Sequence, residues 1–98
     1  VYVSGQLGLN PADGSLAPNV VEQARQSLKN IGEILKSSGC DYSNVVKTSV
    51  FITDLSAFAA VNEVYATFFS KPYPARSCVE VSKLPKGGLV EIECIAKK

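Results

Sequence analysis

Two residue types in the C-terminal third of the chain are able to do chemistry together. Arg76 lies in the strand-like run Pro74-Ala75-Arg76-Ser77-Cys78-Val79-Glu80-Val81, and Glu91 lies in a second run, Leu89-Val90-Glu91-Ile92-Glu93-Cys94-Ile95-Ala96. The planar guanidinium fork grips a carboxylate through two parallel charge-assisted hydrogen bonds, each contributing roughly 1.5 to 3 kcal/mol when partly buried. A glutamate can hold and deprotonate a water, provided desolvation raises its proton affinity more than a nearby arginine lowers it. Each residue also has a structural alternative. Arg76 could form an ion pair with Glu80, Glu91 or Glu93, and Glu91 could be an ordinary solvent-facing strand residue.

Other groups are secondary. Cys78 follows Arg76 by two, so the strand period places both on one face, where the thiol or its backbone N–H could touch a ligand. As a nucleophile it lacks any neighbour in sequence that would depress its pKa, and a small buried hydrophobe is its other reading. Ser4-Gly5-Gln6 offers a hydroxyl next to a permissive backbone amide, suited to the close approach of a ligand oxygen. Asn62 follows apolar Val61 and reads as an ordinary exposed helix residue. The chain has no histidine, which removes Ser–His and Cys–His nucleophiles and leaves carboxylates, water and backbone groups for proton transfer. Cys40, Cys78 and Cys94 are odd in number and widely spaced, form no CxxC pair, and point to neither a metal site nor disulfides. A reducing compartment follows, with the cytoplasm the expected location and mitochondrion or plastid also compatible.

The elements that must carry these groups are legible in the hydrophobic period. Val1-Tyr2-Val3-Ser4 reads as a strand, followed by a turn-rich loop from Gly5 to Pro18. Val21, Ala24, Leu28, Ile31 and Leu35 recur at helical spacing, with Asn19 as N-cap and Gly39 as stop. Val45 to Ile52 is β-branched and alternating. A second helix is expected from a cap at Thr53-Asp54 to about Phe69, with Phe58, Val61, Tyr65 and Phe68 as its apolar stripe and Lys71-Pro72-Tyr73-Pro74 as its end. Two further strands are joined through Lys83 to Gly88. In the last strand Val90, Ile92, Cys94 and Ala96 form the apolar set and Glu91 and Glu93 face away.

The order strand, helix, strand, helix, strand, strand predicts a single two-layer α+β domain over residues 1–98, with both helices on one face of the sheet. The uncovered face is expected to carry Tyr2, Ser4, Lys47, Ser49, Phe51, Arg76, Cys78, Glu91 and Glu93. That mixture is too apolar for ordinary surface and too polar for core, so self-association into a closed ring is the economical expectation. With 98 residues, 46% hydrophobic and 19% charged, the composition is globular. A net charge of +1 with no basic cluster gives no nucleic-acid or membrane-surface footprint.

Taken together, Ser4-Gly5-Gln6, Gln23-Ala24-Arg25-Gln26-Ser27-Leu28, Val61-Asn62, the run Pro74 to Val81 with Leu84-Pro85, and Val90-Glu91-Ile92-Glu93 closely resemble the RidA/YjgF family of imine and enamine deaminases. The resemblance spans essentially the whole chain. It implies a chorismate-mutase-like (YjgF-like) fold, a mixed sheet assembled as a homotrimer, and ligand sites in the clefts between subunits, with no metal or cofactor. It also implies roles: Arg76 grips the substrate carboxylate, Glu91 holds the attacking water, and Ser4, Gly5, Asn62 and Cys78 line the pocket. The reaction implied is hydrolysis of 2-aminoacrylate, 2-iminopropanoate or 2-iminobutanoate to a 2-keto acid and ammonia. A non-catalytic module of the same fold that binds carboxylate metabolites is the alternative, as is RNA cleavage, for which the charge and the absence of histidine give little support. The family has a leading strand and a pocket tyrosine before the position of Val1, so an N-terminally truncated domain is expected.

Overall fold

The helical spacing becomes α1, Val20–Ser37, in a computed structural model that describes all 98 residues. The Asn19 side chain accepts the Glu22 N–H at 2.9 Å, satisfying one of the unpaired donors of the first turn and contributing about 1 kcal/mol. Gly39 follows the helix at φ 76°, a left-handed conformation that residues with a Cβ resist. Ala24, Leu28, Ile31 and Leu35 are buried along one stripe.

Four strands make one sheet: β1 (Tyr2–Leu7), β2 (Val45–Ile52), β3 (Ala75–Glu80) and β4 (Val90–Ala96), in the order β1-β4-β2-β3. β4 pairs antiparallel with β1 and β2, whereas β3 runs parallel to β2. A parallel pair needs a crossover, and α2 (Phe58–Ala66) lies within it. Val3, Val50, Ile52, Val90, Ile92 and Ala96 of the sheet meet Leu28, Ile31 and Leu35 of α1 and Val61, Val64 and Tyr65 of α2 in one core. Each large side chain so buried contributes about 1.5 to 3 kcal/mol of transfer free energy. Both helices cover the same face, giving the expected two-layer α+β sandwich with a mixed sheet. Neither helix is long and apolar enough to cross a membrane.

Four expectations need correction. The first strand does not stop at Ser4 but continues through Gly5 to Leu7, with a register shift between Val3 and Gln6 where it pairs with β4. The second helix is shorter than expected. Asp54 does act as a cap, accepting the Ser56 N–H at 2.9 Å, but it closes a 3-10 turn over Leu55–Ala57 before the α-helix begins. At the other end Thr67 turns its hydroxyl back to the Val64 carbonyl at 2.7 Å, and the helix has already ended at Ala66.

The third correction concerns Arg76 and Cys78, which lie on the helix side rather than on the uncovered face. Parallel pairing sets Arg76 beside Thr48 and Cys78 beside Val50, both buried under the helices. Their neighbours Ser77 and Val79 pair with Ser49 and Phe51 on the open face. β3 is an edge strand that the helices only partly shelter, so Arg76 and Glu80 stay exposed, Cys78 is only half-buried, and its alternation carries no reliable apolar set. The fourth is Asn62, which is half-buried against Arg76 rather than an ordinary surface residue.

Candidate active site

The arginine half of the site is built where β3 passes under α2. Phe58, Asn62 and Tyr65 recur at i, i+4 and i+7, so they share the face of α2 that overlooks the β3 edge. Arg76 Nη1 donates to Asn62 Oδ1. The guanidinium carbon stands 4.7 Å from the centroid of the Tyr65 ring and 5.1 Å from that of Phe58, within cation–π range of both. No carboxylate pairs with it: Glu80 instead accepts the Leu55 N–H at 2.8 Å, and the single ion pair of the chain joins Arg25 to Glu22. The ion-pair alternative for Arg76 is therefore not realised within the chain. A cavity of about 330 Å³ opens beside the guanidinium, lined by Asn62, Tyr65, Ala66, Phe69 and Tyr73. A fixed, unpaired cation at the wall of a partly apolar recess is suited to a small molecule with one carboxylate.

The glutamate half lies elsewhere. Glu91 pairs with Leu7 of β1 and Phe51 of β2, on the face away from the helices. Its carboxylate accepts no hydrogen bond within the chain and lies against the backbone of Gly5. A Cβ added to Gly5 would stand 2.6 Å from the Glu91 carboxyl carbon, so only glycine permits this approach. Ser4, beside it, is exposed, and its carbonyl accepts the Gln6 side-chain amide at 3.1 Å.

Of the six residues singled out in the sequence, the fold joins Arg76 with Asn62, and Glu91 with Gly5, but separates the two groups by the thickness of the sheet. Cys78 shares the Arg76 face, half-buried against the core. Burial pushes its thiol above the usual range, the Arg76 cation opposing only in part, which disfavours the thiolate that a nucleophile needs. Phe58, Tyr65 and Tyr73 were not recognised as site residues. For the first two the signal was present, since Asn62 interrupts their apolar stripe at the spacing that brings a polar group onto the same face. Tyr73 sits in an irregular segment, where no period reports direction.

The fold and this site define a class: a two-layer α+β protein with an arginine that has no ionic partner bordering a pocket at the edge of its sheet. A family model described as Endoribonuclease L-PSP matches residues 1–98, and the chain belongs to that family, which includes RidA and YjgF. A 2-iminobutanoate/2-iminopropanoate deaminase of the goat Capra hircus is 57% identical over 97 residues, covering 98% of this chain and 71% of the relative. The chloroplastic Reactive Intermediate Deaminase A of Arabidopsis thaliana is 54% identical over 98% of this chain and 52% of that protein. Among solved structures, RidA from an Antarctic Psychrobacter superposes with a TM-score of 0.97 at 47% identity, over 99% of this chain and 79% of that one. TdcF of E. coli with bound serine superposes with a TM-score of 0.94 at 44% identity, over the same shares of the two chains.

Proposed function

We propose that this chain is a deaminase that hydrolyses reactive 2-imino acids and their enamine tautomers to 2-keto acids and ammonia. The observation that carries the reading is Arg76: a guanidinium held by Asn62, facing two aromatic rings, bordering a cavity and lacking any ionic partner. The relatives named 2-iminobutanoate/2-iminopropanoate deaminase give the reaction, and the serine bound to TdcF is a ligand of the matching kind, a carboxylate next to a nitrogen-bearing carbon.

In this reading Arg76 fixes the substrate carboxylate and thereby orients the adjacent C=N carbon. A water held by Glu91 adds to that carbon. The C–O bond forms as the C=N electron pair moves to nitrogen, and Glu91 takes a proton from the water and passes it to the nitrogen. The tetrahedral carbinolamine then expels ammonia as the C–N bond breaks and the hydroxyl loses its proton, leaving the keto acid. One water is consumed and no redox change occurs.

Arg76 and Glu91 lie on opposite faces of one sheet, so the mechanism needs two copies of the chain. We infer a homotrimer in which Arg76 of one subunit meets Glu91, Gly5 and Ser4 of the next. The exposed apolar residues of the open face support it: Tyr2 is 84% exposed, Val79 47% and Ile95 38%, with Phe51 between strands. A role in binding without turnover is not favoured, because it gives no task to Glu91. The endoribonuclease wording of the family description finds no histidine and no basic cluster in this chain.

The test is release of ammonia and keto acid from freshly generated 2-aminoacrylate, above the uncatalysed rate. Acceleration by the wild-type chain that disappears in Arg76→Ala supports the proposal; equal rates for the two overturn it.

A further inference from the structure

Beneath the arginine, two hydroxyls stand in the core where apolar residues would pack as well. Thr48 of β2 is 0% exposed, and its only side-chain partner is the Tyr65 hydroxyl, 2.7 Å away. Thr48 is also the register partner of Arg76 across the β2–β3 pair, so the two side chains leave neighbouring strands toward the same face. Tyr65 descends from α2 over both. Its hydroxyl reaches Thr48, while its ring stands 4.7 Å from the guanidinium carbon and against Phe69 at a centroid separation of 4.7 Å. A buried hydroxyl pair adds little net stability over an apolar pair of the same shape, but it holds a ring at one height and angle.

We propose that Thr48 and Tyr65 form a positioning pair for the substrate-binding arginine, with the hydroxyl contact setting the ring and the ring setting the guanidinium. The proposal rests on the reading of Arg76 as the carboxylate clamp. Asn62 fixes one edge of the fork through Nη1, and the rings of Tyr65 and Phe58 bound its π surface, leaving the remaining N–H groups without a partner in the chain beside the cavity. An arginine on a free strand edge would sample many rotamers. Preorganisation removes that loss of freedom from the binding step.

The pair is a device for carboxylate recognition rather than for stability, and the two can be separated. The readout is binding of 2-oxobutanoate and of 2-oxobutanamide to the assembled protein by titration calorimetry, expressed as the ratio of the two affinities, alongside Tm. Arg76→Ala is expected to abolish the preference for the carboxylate. Tyr65→Leu, which removes the ring, is expected to lower it about tenfold. Tyr65→Phe and Thr48→Val each leave one hydroxyl buried and unpaired, so each is expected to lower both Tm and the preference, the latter about threefold. The double variant Thr48→Val/Tyr65→Phe leaves no orphan hydroxyl: Tm is expected to recover, but the carboxylate preference is expected to stay low because the ring has lost its anchor. If the preference recovers together with Tm, or stays at the wild-type value in every hydroxyl variant, the pair is structural only and the proposal is overturned. If Arg76→Ala itself keeps the preference, the clamp reading fails instead, and the positioning role falls with it.

Discussion

Arg76 and Glu91 point to opposite faces of the same four-stranded sheet, one toward α2 and the other toward Gly5 on the open side. Neither has an ionic partner inside the chain. In the proposed trimer a second copy of the chain would bring the two together.

That arrangement predicts complementation between dead subunits. Arg76→Ala and Glu91→Gln chains are each expected to be inactive alone. Mixed by unfolding and refolding together, they are expected to form trimers in which about a quarter of the interfaces join an intact Arg76 to an intact Glu91. Partial recovery of 2-aminoacrylate hydrolysis is the expected result. A site contained within one subunit would show no recovery.

The geometry of the fork sets a second expectation. Arg76→Lys keeps the charge but loses the bidentate contact and the flat surface over Tyr65 and Phe58. Its KM is expected to rise roughly 10- to 100-fold, corresponding to one charge-assisted bond, with Tm within a few degrees of wild type because Arg76 is exposed in the single chain. Steady-state kinetics alongside thermal melts decide it.

Gly5 sets a third. In Gly5→Ala the new methyl would stand 2.6 Å from the Glu91 carboxyl carbon, so the side chain must swing aside. The turnover number is expected to fall at least tenfold while the affinity for a 2-keto acid at Arg76 changes little, because the displaced group handles water rather than the carboxylate. Loss of ligand affinity in step with turnover would contradict this division of labour.

The open face predicts an assembly defect. Val79→Lys places a charge on a position already 47% exposed in the isolated chain, so the subunit fold is expected to survive with an unchanged far-ultraviolet spectrum. Sedimentation is expected to show monomers, and activity to be lost, since a desolvated charge at a subunit contact has no partner.

Alkaline pH supplies the last prediction. Burial pushes the Cys94 thiol up from 9.0 to about 11. Below pH 9 both folded and unfolded chains keep this proton, and its full contribution to stability is present. Between pH 9 and about 11 the unfolded chain ionises while the folded one does not, so stability declines by on the order of 2 kcal/mol. Burial raises Tyr42 and Tyr65 in the same direction, steepening the decline above pH 10. Denaturant titrations across this range are expected to show a shallower slope for Cys94→Ala than for wild type.

Period and punctuation in the sequence determined the elements and the class of fold. Asn19 and Gly39 bracket α1 because a cap and a left-handed residue are local requirements, and the alternation in Val90 to Ala96 separates a buried from an open face because that strand is central and covered on one side only. Arg76 and Glu91 stood out by residue type and by a resemblance that spans the chain. For Arg76, the tertiary structure alone decided which way it points. β3 is an edge strand whose two faces are nearly equally exposed, so its direction comes from parallel register with β2, a contact between segments about thirty residues apart. The same register places Arg76 beside Thr48 and under Tyr65, which joins one conspicuous residue to two unremarkable positions at a single corner of the fold.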